Sequence, residues 1–346
     1  MVAIGCPLQA SHCKQPKKWS SIISSSMGPI KSNNIKVVIN GAAKEIGKAA
    51  IIAVTKARGM ELAAAVDKVL VGEDAGTICN MEEPLEIPIL SDLTMVLGSI
   101  SQLLFLTIEN EIDRWQSNSN GVVVDFTEPS AVYENVKQAT AFGLKSVVYV
   151  PGISLDTVAA LSAFCEKASM GCLIAPTLSI GSVLLQQAAI TASFHYDNVE
   201  IVESRPHASD LPSLDAQQIA NNLSNLGRLY NRDDLSTCNL ARGQLLGEDG
   251  IRVHSMVLPG LLSSTTVHFS APGEVYSVRH DITDVQSLMP GLILAIRKVV
   301  RLKVLCLSLS LPHFMNGFFF HVNAANQMIF FRNSFQNLIY GLEKFL

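Results

Sequence analysis

The stretch Ile35-Lys36-Val37-Val38-Ile39-Asn40-Gly41-Ala42-Ala43-Lys44-Glu45-Ile46-Gly47 decides the fold. Its first six residues are rich in β-branched side chains, which suit an extended, buried strand. Gly41 closes that strand, and an Ala-rich stretch of helical character follows over residues 44–58. Residues 61–66, Glu-Leu-Ala-Ala-Ala-Val, read as the next strand and end on Asp67. A strand, a tight glycine turn, a helix and a second strand closed by an acid form the first unit of a Rossmann-like, doubly wound parallel sheet. Gly41 allows the tight turn and Gly47 the close packing of helix on strand. Between them, Lys44 stands where a glycine would let the backbone approach a pyrophosphate; it trades that approach for a positive charge at a helix N-terminus. Asp67 is placed to accept from adenosine ribose hydroxyls, whereas Lys68 would suit a 2′-phosphate, so NADH and NADPH both stay open as cofactors.

Outward from this unit, apolar runs at residues 121–124 and 146–150 flank a helical pattern at 130–142 and continue the alternation of a parallel sheet. Past about Ala175 the pattern changes. An Ala/Leu-rich helix at 182–193 precedes segments at 199–202, 251–258, 265–270 and 275–280 that alternate with period two, as in a mixed or antiparallel sheet with one covered face. A helix at 290–301 is expected to return to the first domain. The fold class is therefore α/β: an N-terminal Rossmann-like doubly wound parallel sheet plus a C-terminal α+β domain with a mixed sheet. The expected limits are 34–174 for the dinucleotide-binding domain, 175–289 for the mixed-sheet domain and 290–346 for the returning helix and tail. Residues 103–120 read as an insertion. Residues 304–336 hold seven of the fourteen phenylalanines and interrupt a continuous passage from Leu302-Lys303 to Asn337-Leu338. Ser308, Ser310, Pro312, His313 and Asn316 argue against a membrane span there, and the segment reads as a second insertion or a translated non-coding stretch.

The chain has 346 residues, 48% hydrophobic and 16% charged, which describes a globular protein with a sizeable core. A formal charge of -4 gives no general attraction for nucleic acid, which is excluded as a partner on that ground. The seven cysteines show no CxxC pair, so they read as free thiols in a reducing compartment and no metal site is expected. The first acidic residue is Glu45; before it come Lys14, Lys17, Lys18 and a Ser-rich stretch at 20–26 without a continuous apolar run. That is the composition of an organelle transit peptide over residues 1–33, not of a secretory signal.

Further landmarks follow in order: Gly72-Glu73-Asp74-Ala75-Gly76, Val124-Asp125-Phe126-Thr127 with Pro129, and Ala175-Pro176-Thr177-Leu178-Ser179-Ile180-Gly181. With the Gly41 turn they resemble the dihydrodipicolinate reductase family. The later runs Val253-His254-Ser255-Met256-Val257-Leu258-Pro259-Gly260, Val278-Arg279-His280-Asp281 and Met289-Pro290-Gly291 look like that family's C-terminal domain. The resemblance implies hydride transfer from NADH or NADPH to a cyclic imine dicarboxylate, with cationic carboxylate clamps and a proton donor. It implies cofactor contacts at Gly41, Lys44, Ile46, Gly47, Asp67, Phe126, Thr127 and Thr177, the last standing where the family has Asn. Tyr149-Val150-Pro151-Gly152 replaces the family's Gly-Thr-Thr-Gly strand end. It also implies assembly of subunits through the C-terminal sheets, a homo-oligomer.

The family's Glu-x-His-His-x-x-Lys-x-Asp-x-Pro-Ser-Gly-Thr segment has its counterpart here in the stretch Glu200-Ile201-Val202-Glu203-Ser204-Arg205-Pro206-His207-Ala208-Ser209-Asp210-Leu211-Pro212-Ser213-Leu214-Asp215-Ala216, where it is one residue shorter. The His pair falls on Arg205-Pro206, the lysine on Ala208 and the Gly-Thr on Leu214-Asp215. Pro206 has no side-chain proton to give, Ala208 no charge, and Asp215 repels a carboxylate. No residue is a convincing catalyst; if activity persists, His207, Arg205 and Ser213 would carry it. His254 and His280 lie on predicted strands of the second domain, where structural and substrate-rim roles are both open. A leader, a kept fold and a rewritten segment together resemble the plant dihydrodipicolinate reductase-like branch, the chlororespiratory reduction proteins. That resemblance implies a place in the chloroplast stroma, with assembly intermediates of the photosynthetic NADH dehydrogenase-like complex as partners. The alternative is an active reductase of the diaminopimelate route to lysine.

Overall fold

The computed structural model describes residues 34–106, 121–208, 211–232, 242–246, 249–302 and 338–342. The expected leader and nearly all of both interrupting segments lie outside the described residues. In chain order the first half comprises β1 (Ile35–Asn40), α1 (Glu45–Lys56), β2 (Met60–Val66), α2 (Ala75–Ile78), β3 (Ile89–Leu90), α3 (Leu93–Leu106), β4 (Gly121–Asp125), α4 (Val132–Ala141), β5 (Lys145–Val148), α5 (Leu155–Ala168) and β6 (Cys172–Ile174). There follow α6 (Ile180–Ser193), β7 (Asn198–Arg205), α7 (Leu214–Ser224), β8 (Gln244–Leu246), β9 (Ile251–Val257), β10 (Ser263–Ala271), β11 (Glu274–Ile282), α8 (Met289–Arg301) and β12 (Leu338–Tyr340).

Seven strands form one sheet in the order β12-β6-β5-β4-β1-β2-β3, and every pairing in it is parallel. The central strands are buried on both faces because helices cover both: all five residues of β4 are buried, as are all four of β5. Asn40 is level with Val66 on one side and with Asp125 on the other, so β1, β2 and β4 end together at one edge. β1 sits between β2 and β4, where the strand order reverses direction; outside the carboxyl ends of such strands lies the crevice that binds ligands in open α/β sheets.

The second sheet runs β11-β10-β7-β9-β8. Its β7–β9 pair is parallel and its other pairs are antiparallel, the mixed sheet expected from the alternating segments. Val199, Ile201, Val253, Val267 and Phe269 cover one face and pack on Leu185 of α6 and on Ala216, Ile219 and Leu223 of α7. Helix α8 returns to the first sheet, as its sequence suggested. Its buried Leu292, Ala295, Ile296 and Val299 recur at helical spacing and share a core with Val37, Ile39, Val122 and Val147. The fully buried Lys145 of β5 fixes the end of this helix. Its Nζ donates to the Val300 and Leu302 carbonyls at 2.6 and 2.8 Å, partners for carbonyls that a helix end leaves unsatisfied. Burial pushes its ammonium down to about 8. Among the described residues, no helix is long and apolar enough to cross a membrane.

Candidate functional site

The wall of the crevice on the β1 side is the Gly41 turn. Gly41 has φ +91, a conformation that favours glycine, and a Cβ there would meet Phe126 at 3.1 to 3.2 Å. Gly47 packs α1 onto the same turn; a Cβ would lie 2.9 Å from the Ala42 Cα. Both glycines thus do the steric work expected of them. Asp67 closes the turn from the end of β2: its Oδ2 accepts from the Ala43 amide at 2.9 Å and its Oδ1 from the Val69 amide at 3.0 Å. Lys44 is the N-cap residue of α1, extended at φ -65, ψ 153, and its side chain does not cap that helix. Its Nζ donates to the Phe126 and Thr127 carbonyls, both at 2.6 Å. Ile46 packs against the core beneath the turn.

The opposite wall is the end of β4. Phe126 is buried, its amide donates to the Asn40 carbonyl at 2.9 Å, and its ring meets Tyr149 edge to face at 6.3 Å. Buried Asp125 accepts from the Thr127 amide and the Asn135 amide group, each at 2.9 Å. Burial raises its carboxyl above the usual range, and those hydrogen bonds pull in the opposite sense. Thr177, buried after β6, accepts from the Ser179 amide at 3.2 Å and so shapes the lead into α6.

The floor toward the second sheet brings together residues far apart in sequence. Ser182 of α6 donates to Asp215 Oδ1 of α7 at 2.8 Å. Burial raises the Tyr149 hydroxyl and the negative charge of Asp215 raises it further. Ser179 and His280 Nε2 lie 3.4 Å apart, and a Cβ on Gly181 would run into the same imidazole. His254 instead sits away on β9, sharing Glu200 with Arg242: its Nε2 lies 2.9 Å from Oε2, and the guanidinium 2.6 Å from Oε1.

The segment singled out for catalysis is locked. Glu203 is fully buried and pairs with the Arg205 guanidinium at 3.1 Å. It also accepts from the Ser213 amide at 3.1 Å and the Ser255 hydroxyl at 2.6 Å. Arg205 donates to Ser213 Oγ at 2.6 Å, Thr265 Oγ1 at 2.9 Å and the Ser264 carbonyl at 2.6 Å. Ser213 Oγ in turn caps α7 by accepting from the Ala216 amide at 3.3 Å. Arg205 and Ser213 are thereby committed to one another and to the fold, while His207 stands exposed beyond the end of β7. Glu203 as the centre of this network was not singled out from the sequence. The signal was present: Glu203 and Arg205 are two apart on a strand, and such residues share a face.

Two family models cover this architecture, "Dihydrodipicolinate reductase, N-terminus" over residues 35–178 and "Dihydrodipicolinate reductase, C-terminus" over residues 181–310. The chain belongs to the dihydrodipicolinate reductase family. The first match covers the crevice and marks the parallel sheet as a nicotinamide-nucleotide-binding fold. The chain is 61% identical over 347 aligned positions, 100% of both proteins, to the "Dihydrodipicolinate reductase-like protein CRR1, chloroplastic" of Arabidopsis thaliana. It is 44% identical over 277 residues to the 4-hydroxy-tetrahydrodipicolinate reductase of Mastigocladus laminosus, covering 78% of this chain and 95% of that enzyme. Among solved structures, the dipicolinate-bound dihydrodipicolinate reductase of Paenisporosarcina sp. TG-14 aligns with TM-score 0.63 and 25% identity, over 90% of this chain and 100% of that one. This is a reductase-like protein by descent. The residues lining the crevice fit a dinucleotide in part: Gly41, Gly47 and the uncapped start of α1 are in place, and the Lys44 side chain crosses between the walls.

Proposed function

We propose that this protein is a chloroplast reductase-like member of the family whose catalytic segment is degenerate, and that it serves assembly of the photosynthetic NADH dehydrogenase-like complex in the stroma. The observation that carries the loss of catalysis is the commitment of Arg205, at the first histidine position, to Glu203, Ser213 and Thr265, with Pro206 at the second. A group so engaged has no proton to deliver to a substrate carbon, and a displaced donor commonly costs about 10²-fold or more in rate. Asp215, where a substrate carboxylate would be received, presents a negative charge instead. The chloroplast setting is supported by the leader composition and by the identity to the chloroplastic Arabidopsis relative. The assembly role rests on the resemblance to the chlororespiratory reduction proteins.

Under this reading Gly41, Lys44, Ile46, Gly47, Asp67, Phe126, Thr127 and Thr177 line a site for NADPH or NADH. The bound cofactor would supply a hydride; the chain's own residues orient the dinucleotide and hold Tyr149 and Asp215 at the floor of the crevice. The test is oxidation of NADPH and NADH by the purified protein with synthase-generated dihydrodipicolinate, beside a bacterial reductase. The expected result is no detectable turnover by folded protein, together with co-purification of the complex's stroma-facing subunits from chloroplast extract. Turnover within about tenfold of the control, a barrier difference of roughly 1.4 kcal/mol, would establish the lysine-route enzyme instead.

A further inference from the structure

We propose that the Lys44 side chain is a strap that holds the dinucleotide crevice shut and lowers the affinity of this site for nicotinamide dinucleotides. The inference rests on the nicotinamide reading of the site and concerns how that site is regulated by its own residue. Three observations carry it. The carbonyls that Lys44 grips, those of Phe126 and Thr127, belong to the wall opposite its own turn, so the four-carbon stem spans from the end of β1 to the end of β4. That line is the one a pyrophosphate and its riboses follow in this fold. The two walls already touch at Gly41, where even a Cβ would crowd Phe126, so the strap lies over a narrow mouth.

The second polar group of the turn is also spoken for, because both Asp67 oxygens accept from backbone amides within the β1–β2 region. An arriving dinucleotide therefore meets groups that are already satisfied. It must detach the ammonium from two carbonyls before the phosphates reach the amides of α1. The ammonium can then pair with a phosphate, yet it gives up as much as it gains, and the stem still occupies the space that the family's glycine leaves clear. Lys44 is exposed and its bond to Thr127 faces solvent, that to Phe126 being half-buried, so the strap is a weak latch that opens reversibly.

The experiment is calorimetric titration of the full-length chain with NADPH and with NADH, for the wild type, Lys44→Ala, Lys44→Gly and Lys44→Arg, with circular dichroism to show that each is folded. Lys44→Ala and Lys44→Gly are both expected to bind roughly two- to fivefold tighter, the range for exposed charged contacts. Lys44→Arg, which can grip the same carbonyls, keeps the wild-type affinity. Weaker binding by Lys44→Ala would make Lys44 a phosphate ligand and overturn the strap. Tighter binding by Lys44→Gly alone would trace the effect to the missing glycine and overturn it too. Either result leaves the nicotinamide reading intact, whereas absence of binding in all four folded proteins would end both.

Discussion

At the nucleotide wall, Lys44 and Asp67 are each tied to backbone groups by one exposed and one half-buried bond, whereas in the catalytic segment Glu203 and Arg205 pair with side-chain exposures of 0% and 13%. Depth of burial separates the two. Exposed charges exchange protein partners for water at small cost, so the first wall is latched and can open. Buried charges cannot be released singly, because removing either partner strands the other in a medium that solvates it poorly. Under the proposed reading, the family framework has kept one half of its crevice adjustable and turned the other half into structure.

The contrast is most exposed to failure at Glu203. Glu203→Ala leaves the Arg205 guanidinium, the Ser213 amide and the Ser255 hydroxyl without their acceptor. A destabilisation of about 3–5 kcal/mol in urea unfolding is expected; a loss below about 1 kcal/mol would place the pair in the same class as a surface contact and erase the distinction. An intermediate effect is expected at Gly47, where adding a methyl group forces α1 off the Ala42 backbone. Gly47→Ala should cost about 1–3 kcal/mol by overpacking and weaken dinucleotide binding with it. Full stability with unchanged binding would show that the turn is looser than its contacts indicate. The smallest effect sharpens the floor between the halves. Tyr149 is raised by burial first and by Asp215 second. Asp215→Asn should shift the tyrosinate absorbance titration of Tyr149 toward lower pH by removing only the second cause, leaving the midpoint above the ordinary tyrosine value. An unmoved titration would separate Tyr149 from Asp215.

Much of the scaffold was legible because long periodic segments announce themselves. The β-branched run into Gly41, the alternation at 265–270 and the amphipathic stripe of α8 each matched an observed element within a few residues. Short elements escaped notice: β6 and β12 have three residues each, too few for a period, and exist because a neighbouring strand offers its backbone edge. Helix α7 is obscured in the sequence because its start coincides with Ser213-Leu214-Asp215, the stretch that resembles the family's substrate-binding motif; Ser213 as N-cap explains that serine structurally.

Residue types and spacing alone determined the doubly wound sheet, the change to a mixed sheet and the glycine turn between β1 and α1. Those are properties of local pattern, and local pattern is written along the chain. Only the tertiary structure decided what the substituted groups do. It set Lys44 on the far wall, turned Asp67 inward to its own turn, and joined Arg205, Ser213, Ser255 and Thr265 into one network around the buried Glu203. The partner of a charged side chain is fixed by strands and loops that converge from distant parts of the sequence, and burial there decides whether that partner can be exchanged.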